Sequence, residues 1–126
     1  MSHPVLVSIV IPAYKPQFFE KALMSAMLQQ YDAIEIVVCD DCRSDAIASI
    51  VEHNRSKSRF PIRYFHNPVP LLEPGNLARG ISEARGEYVK FLYDDDLLMW
   101  YGHAHSCHRD QKMLSQQDVA RHRQWI

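Results

Sequence analysis

The sequence has no surplus of either charge. Lys and Arg together number 14 against 15 Asp and Glu in 126 residues, so there is no basic field to hold nucleic acid by its phosphates, and no nucleic acid partner is expected. A long hydrophobic run is also missing. The apolar stretch within MSHPVLVSIVIPAYK is broken by Pro12 and has no basic segment before it, which fits neither a signal peptide nor a transmembrane segment and makes a cytoplasmic chain the expectation. Cysteine is scarce. Three residues of it, an odd number with no secretory signal, speak for reduced thiols rather than a disulfide framework. Internal repeats and low-complexity segments are absent too. What remains has the apolar and charged fractions of an ordinary globular domain with a single core.

The apolar residues are distributed in alternating patterns. Val5 to Ile11 is a nearly unbroken β-branched run stopped by Pro12, as expected of a central parallel strand covered on both faces. From Pro16 to Gln30, Phe19, Ala22, Leu23, Ala26 and Met27 recur at three- and four-residue spacings and predict a helix with Pro16 in its first turn. The pattern repeats: a strand over 34–39, a helix to about Ser56 capped by Ser44 or Asp45, and a strand over 62–65. A loop marked by Asn67-Pro68-Val69-Pro70 and Pro74-Gly75 leads into a short helix through Leu77, Ile81 and Ala84, ended by Gly86, and Tyr88 to Leu92 reads as a fourth strand. The fold class is therefore α/β, a mostly parallel four-stranded sheet with flanking helices and right-handed crossovers. The remainder, 101–126, reads as a separate helical or irregular tail after a domain over 1–100.

In sheets of this kind the ligand lies beyond the carboxyl ends of the strands. Pro12-Ala13-Tyr14-Lys15 follows the first strand, Asp40-Asp41 the second and Asp94-Asp95-Asp96 the fourth, so five carboxylates are expected on one edge. Three adjacent like charges repel unless a cation neutralises them, and a hard divalent ion takes oxygen ligands of this type. A solvated turn with Asp96 as a helix cap explains the same residues. VVCDDCRSD also contains Cys39-x-x-Cys42. A redox role requires a thiolate, which two intervening carboxylates oppose, so Cys39 reads as a buried strand residue and Cys42 as an incidental loop residue. Zinc bound with His103, His105, Cys107 or His108 is a further alternative, conditional on the tail crossing the strand ends.

VSIVIPAYK, LQQY, IEIVVCDDCRSD and ARGISEARGEYVKFLYDDDLL occur in an order and spacing that resemble the nucleotide-binding half of an inverting family 2 glycosyltransferase with the Rossmann-like GT-A fold. The resemblance runs from about Pro4 to Trp100. It implies that Pro12, Ala13 and Tyr14 border the nucleotide base, and that Asp41, with Asp40 beside it, accepts a hydrogen bond from uracil or a related base. The family's D-x-D motif falls on Tyr93-Asp94-Asp95 or on Asp94-Asp95-Asp96. Asp95 is common to both registers and is the implied metal ligand, with Asp94 near the ribose or a metal-bound water and Asp96 as a further candidate. The implied cofactor is Mn2+ or Mg2+, and the implied partner is a nucleotide-diphosphate sugar, a UDP-sugar first.

The sequence departs from the family pattern at Lys15, Cys42 and Ala78, where the family favours Asn, Gly or Asn, and Asn respectively; Asn76 stands close to the last. The family's general base lies beyond the D-x-D in an acceptor-binding half, and no counterpart is recognisable among residues 101–126. The expected function is therefore a nucleotide-sugar and metal binding domain that is incomplete for transfer by itself. A non-catalytic binding or assembly domain is the alternative. A phosphoacceptor receiver fits poorly, because its acids follow the first and third strands. Asp41, repelled by Asp40, is expected to matter little for folding. A homodimer formed with residues Leu97 to Ile126 is expected, against a monomer whose tail covers its own sheet.

Overall fold

The computed structural model describes residues 5–94. The aspartates Asp95 and Asp96, the tail over 101–126, the boundary near residue 100 and the expected dimer contact over 97–126 lie outside the described residues. Those described follow the order β1 (Val7–Ala13), α1 (Pro16–Met27), β2 (Ile34–Asp40), α2 (Ala46–Arg55), β3 (Ile62–His66), α3 (Gly75–Glu83) and β4 (Tyr88–Phe91). All strand pairs are parallel, in the spatial order β3-β2-β1-β4. The order reverses direction at β1, so the switch point lies between β1 and β4; β1 and β2 are the two strands completely buried along their length.

β-branched residues make those strands because their branched side chains fill a pleated surface. Strand alternation sends Val7, Ile9, Ile11, Ile34, Ile36 and Val38 into the larger core, where they meet Phe19, Ala22, Leu23 and Ala26 of α1 and Ile47 and Val51 of α2. The apolar stripe read on α1 is thus its buried face. Each large side chain fully buried here contributes about 1.5–3 kcal/mol of hydrophobic stabilisation. The helix ends at Met27 rather than Gln30; beyond it the carbonyls of Gln29 and Tyr31 accept Arg59 Nη2.

The opposite face is smaller and partly polar. Val10, Val37 and Cys39 form its buried apolar cluster, with Leu77, Ala84, Phe65 and Val89 packed around it. Beside them Glu35, the second residue of β2, is only 3% exposed. Its carboxylate accepts Ser8 Oγ at 2.6 Å, the Arg85 N–H at 2.6 Å and Arg63 Nη1 at 3.1 Å. A buried charge survives only with such partners. α3 packs closely here: a Cβ on Gly80 would fall 2.3 Å from Val10 Cγ1. Glycine therefore sets the distance between α3 and the sheet. Gly86 is similarly confined, with Ser8 N and Leu6 O less than 3 Å from any Cβ it could carry.

Candidate functional site

The loops at the carboxyl ends of the strands surround a cleft of about 160 Å³ lined by Pro12, Tyr14, Asp41, Leu72, Glu73, Asn76, Tyr93 and Asp94. Four of the six residues expected at a nucleotide are there. Ala13 is instead fully buried in the larger core, and its carbonyl accepts the Asp41 N–H at 2.9 Å. Asp40 is also fully buried, turned to the other side of the sheet, where it accepts the Cys42 N–H at 2.8 Å and the Tyr64 hydroxyl at 2.5 Å. Consecutive residues at a strand end point to opposite faces, which separates the acidic pair. Burial and this carboxylate push the Tyr64 hydroxyl well above the usual tyrosine range.

Asp41 is held from three directions. Oδ1 accepts Asn67 Nδ2 at 2.7 Å and the Leu71 N–H at 3.0 Å, and Oδ2 accepts the Leu72 N–H at 2.7 Å. Burial opposes its charge, but the Leu71, Asn67 and Leu72 donors, with Arg43 nearby, hold the carboxyl below the usual carboxylate range. The expectation that Asp41 matters little for folding is overturned by these contacts. It closes the loop after β3, in which Leu72 takes a left-handed φ of 60° and its carbonyl accepts the Asn76 N–H. A carboxylate oxygen offers two acceptor positions. Among the described residues Oδ1 has two donors and Oδ2 one, which leaves Oδ2 one further acceptor position.

Asp94 plays a matching part on the opposite wall. Its Oδ2 accepts the N–H groups of both Tyr14 and Lys15 at 2.6 Å, which fixes the turn after β1. Tyr14 is left 57% exposed, with its ring free to face a ligand. On its other side Tyr14 borders a shallow groove shared with Lys15, Arg43 and Ser44. Glu73, which the sequence reading did not single out, also lines the cleft. Burial raises its carboxyl above the usual range, opposed by the Leu77 N–H and reinforced by Asp41 and Asp94. Its signal in the sequence was the Pro- and Gly-punctuated loop after the third strand, which ends on the same edge as the aspartates.

Asp94 by itself does not make a metal centre, since one of its oxygens is committed to two backbone donors. Among the described residues no group of three or more His, Cys, Asp or Glu side chains could hold a metal ion. The C-x-x-C pair is separated by the sheet: Cys39 lies in the smaller cluster under α3 and Cys42 in the larger core. Cys42 is therefore a buried packing residue rather than an incidental loop residue. Burial pushes the Cys39 thiol up to about 11, away from thiolate chemistry.

Comparison with known proteins agrees with this geometry. The sequence profile of Glycosyl transferase family 2 matches residues 8–99. A GalNAc(5)-diNAcBac-PP-undecaprenol beta-1,3-glucosyltransferase from Campylobacter jejuni is 39% identical over 95 residues, which are 74% of this chain and 30% of that protein. A poly(ribitol-phosphate) beta-N-acetylglucosaminyltransferase, TarS, from Staphylococcus aureus is 30% identical over 95 residues, 72% of this chain and 16% of its own length. Crystal structures of TarS 1-349 superpose with a TM-score of 0.65 at 28% identity, over 73% of this chain and 28% of theirs. One of them, at 27% identity and the same TM-score, is a complex with UDP-GlcNAc. The chain spans about a third or less of the length of these relatives. The parallel sheet, its strand-end cleft and the sequence match together place this chain in glycosyl transferase family 2.

Proposed function

We propose that the domain binds a nucleotide-diphosphate sugar, a UDP-sugar first, in the cleft between Tyr14, Asp41 and Asp94, as a donor site for sugar transfer. The observation that carries this reading is Asp41, a buried carboxylate with one acceptor position that the described residues leave for a base N–H. It is supported by the superposed structure that holds UDP-GlcNAc. Tyr14 offers a ring for the base or ribose to rest on, and Asp94 holds that ring's backbone in place. Asp95 and Asp96 follow directly in sequence, and a Mn2+ or Mg2+ ion held by them would stabilise charge on a departing diphosphate. Asp94 has Oδ1 to add to such a site.

Transfer with inversion also requires a base for the acceptor hydroxyl. We assign none among residues 5–94, where the cleft carboxylates are committed to the loops or crowd the donor side. The domain is therefore read as incomplete for transfer by itself. Calorimetric titration of the chain with UDP tests the donor site, in Mn2+ and again in EDTA. Binding that needs the cation, and loses that need in Asp95→Ala, is the expected result. Equal affinity with and without the metal overturns the metal assignment, and no binding in either condition favours a non-catalytic assembly domain.

A further inference from the structure

We infer that Arg79, outside the cleft on α3, is a positioning residue that sets how Asp41 reads the nucleotide base. This rests on the nucleotide-binding reading of the cleft and adds a residue and a specificity to it. Arg79 Nη1 donates to Asn67 Oδ1 at 2.7 Å. A guanidinium has no acceptor, so the oxygen of the Asn67 amide has to face Arg79 and its nitrogen has to face away. That nitrogen donates at once to Asp41 Oδ1 and to Asn76 Oδ1, at 2.7 and 2.8 Å. Asn76 in turn donates its Nδ2 to the Cys39 carbonyl at 3.0 Å, which fixes its own orientation. The chain of donors has one direction throughout.

Each member of this chain is satisfied only while the others hold. Asn67 and Asn76 are 1% and 2% exposed, so neither amide has water to turn to. Arg79 is itself anchored: Nη2 pairs with Glu83 at 3.6 Å, and the guanidinium lies over the Phe65 ring. Without Arg79 the buried Asn67 carbonyl has no donor, a costly state, and any rotation that finds it one takes Nδ2 off Asp41. Asp41 Oδ1 then gains a free acceptor position beside that of Oδ2. A carboxylate with one fixed acceptor position favours a base presenting a ring N–H, as uracil does, over cytosine, whose equivalent ring nitrogen is an acceptor. A carboxylate free to turn takes the cytosine amino group as well.

The test is titration of the full chain with UDP and with CDP at saturating Mn2+, for the unchanged protein, Arg79→Met and Arg79→Lys. Loss of a hydrogen bond to a charged group predicts that the unchanged chain prefers UDP by about tenfold or more. In Arg79→Met that preference falls below about threefold while the chain stays folded by circular dichroism, and in Arg79→Lys, again a pure donor, it is retained. Arg79→Gln, which brings an acceptor as well as a donor, is measured where the methionine variant does not fold, and the same fall is expected. A folded Arg79→Met or Arg79→Gln that weakens both nucleotides equally, with the ratio unchanged, overturns the positioning role. An unchanged chain that binds neither nucleotide, or both alike, overturns the underlying reading of the cleft instead.

Discussion

Asp94, just past the end of β4, accepts the backbone N–H of Tyr14 at 2.6 Å from 80 residues away in the chain. The first residue of the acidic run is thus also the clamp of the first loop, and those two walls of the cleft are one mechanical unit. The shape of the base side and the charge of the phosphate side therefore depend on the same carboxylate.

The two roles separate by substitution. Asp94→Asn keeps an oxygen with two acceptor positions and should hold the loop, with stability within about 1 kcal/mol of the unchanged chain. Asp94→Ala orphans two backbone donors of a charged acceptor and should cost about 1.5–3 kcal/mol by denaturant titration. Both should weaken UDP binding in Mn2+ by about tenfold or more, since both remove the charge. Unimpaired binding in Asp94→Asn would leave Asp94 with the clamp alone.

Asp41 makes the stability of the fold depend on pH. Its carboxyl and that of Glu35 both lie below their ordinary values: burial opposes each charge, and hydrogen bonds outweigh it. A depressed acid contributes stability that is present above the unfolded pKa and is lost as pH falls through the folded one. Stability should therefore fall from about pH 5 downward. Glu73 has the opposite sign, because its raised carboxyl favours the fold more as it becomes protonated. Asp41→Asn should be less stable at pH 7 and show a shallower acid slope in denaturant titrations between pH 5 and pH 2, about the window that linkage assigns to such a group. An unchanged slope would assign the acid sensitivity to Glu35.

The legible parts were those written in local pattern. β-branched runs gave the strands, three- and four-residue spacing gave the buried face of α1, and the positions after strands gave the edge that carries Pro12, Tyr14, Asp41 and Asp94. Alternation along β2 could also have told Asp40 from Asp41, since Asp40 continues the inward series Ile36, Val38. The rest depends on partners far away in sequence. Asn67, Leu71 and Leu72 reach Asp41 across 26 to 31 residues, and no spacing announces them. Glu35 was hidden in the apolar run IEIVV because its partners Ser8, Arg63 and Arg85 become its neighbours only in the sheet.

The two cysteines of the C-x-x-C stretch should not behave as a pair. Cys39 is fully buried under α3 with its thiol pushed up to about 11, so iodoacetamide at pH 8 should leave it unmodified until denaturant is added. Peptide mass spectrometry after mild oxidation should find no bond between Cys39 and Cys42, which belong to different faces of the sheet. Rapid native labelling of Cys39 would mean that α3 opens readily.

Gly80 offers the most direct test of whether helix packing controls the cleft. Alanine favours a helix over glycine by about 1 kcal/mol, so Gly80→Ala would stabilise an isolated α3. In this fold the new methyl group would sit 2.3 Å from Val10 Cγ1, and the obstructing side chain is short, β-branched and fully buried, with little freedom to yield. The strain of such overpacking, about 1–3 kcal/mol, outweighs the propensity gain. The helix should move off the sheet, and Asn76, in its first turn, should move with it, taking its hydrogen bonds from Asn67 and to the Cys39 carbonyl. Gly80→Ala should therefore melt at a lower temperature and bind UDP less tightly. Val10→Ala removes the obstructing methyl groups, so the double variant should regain UDP affinity over Gly80→Ala even though Val10→Ala alone is destabilising. Coupling near zero between the two substitutions in melting temperature and affinity would show that α3 accommodates the methyl group elsewhere and does not set the shape of the cleft.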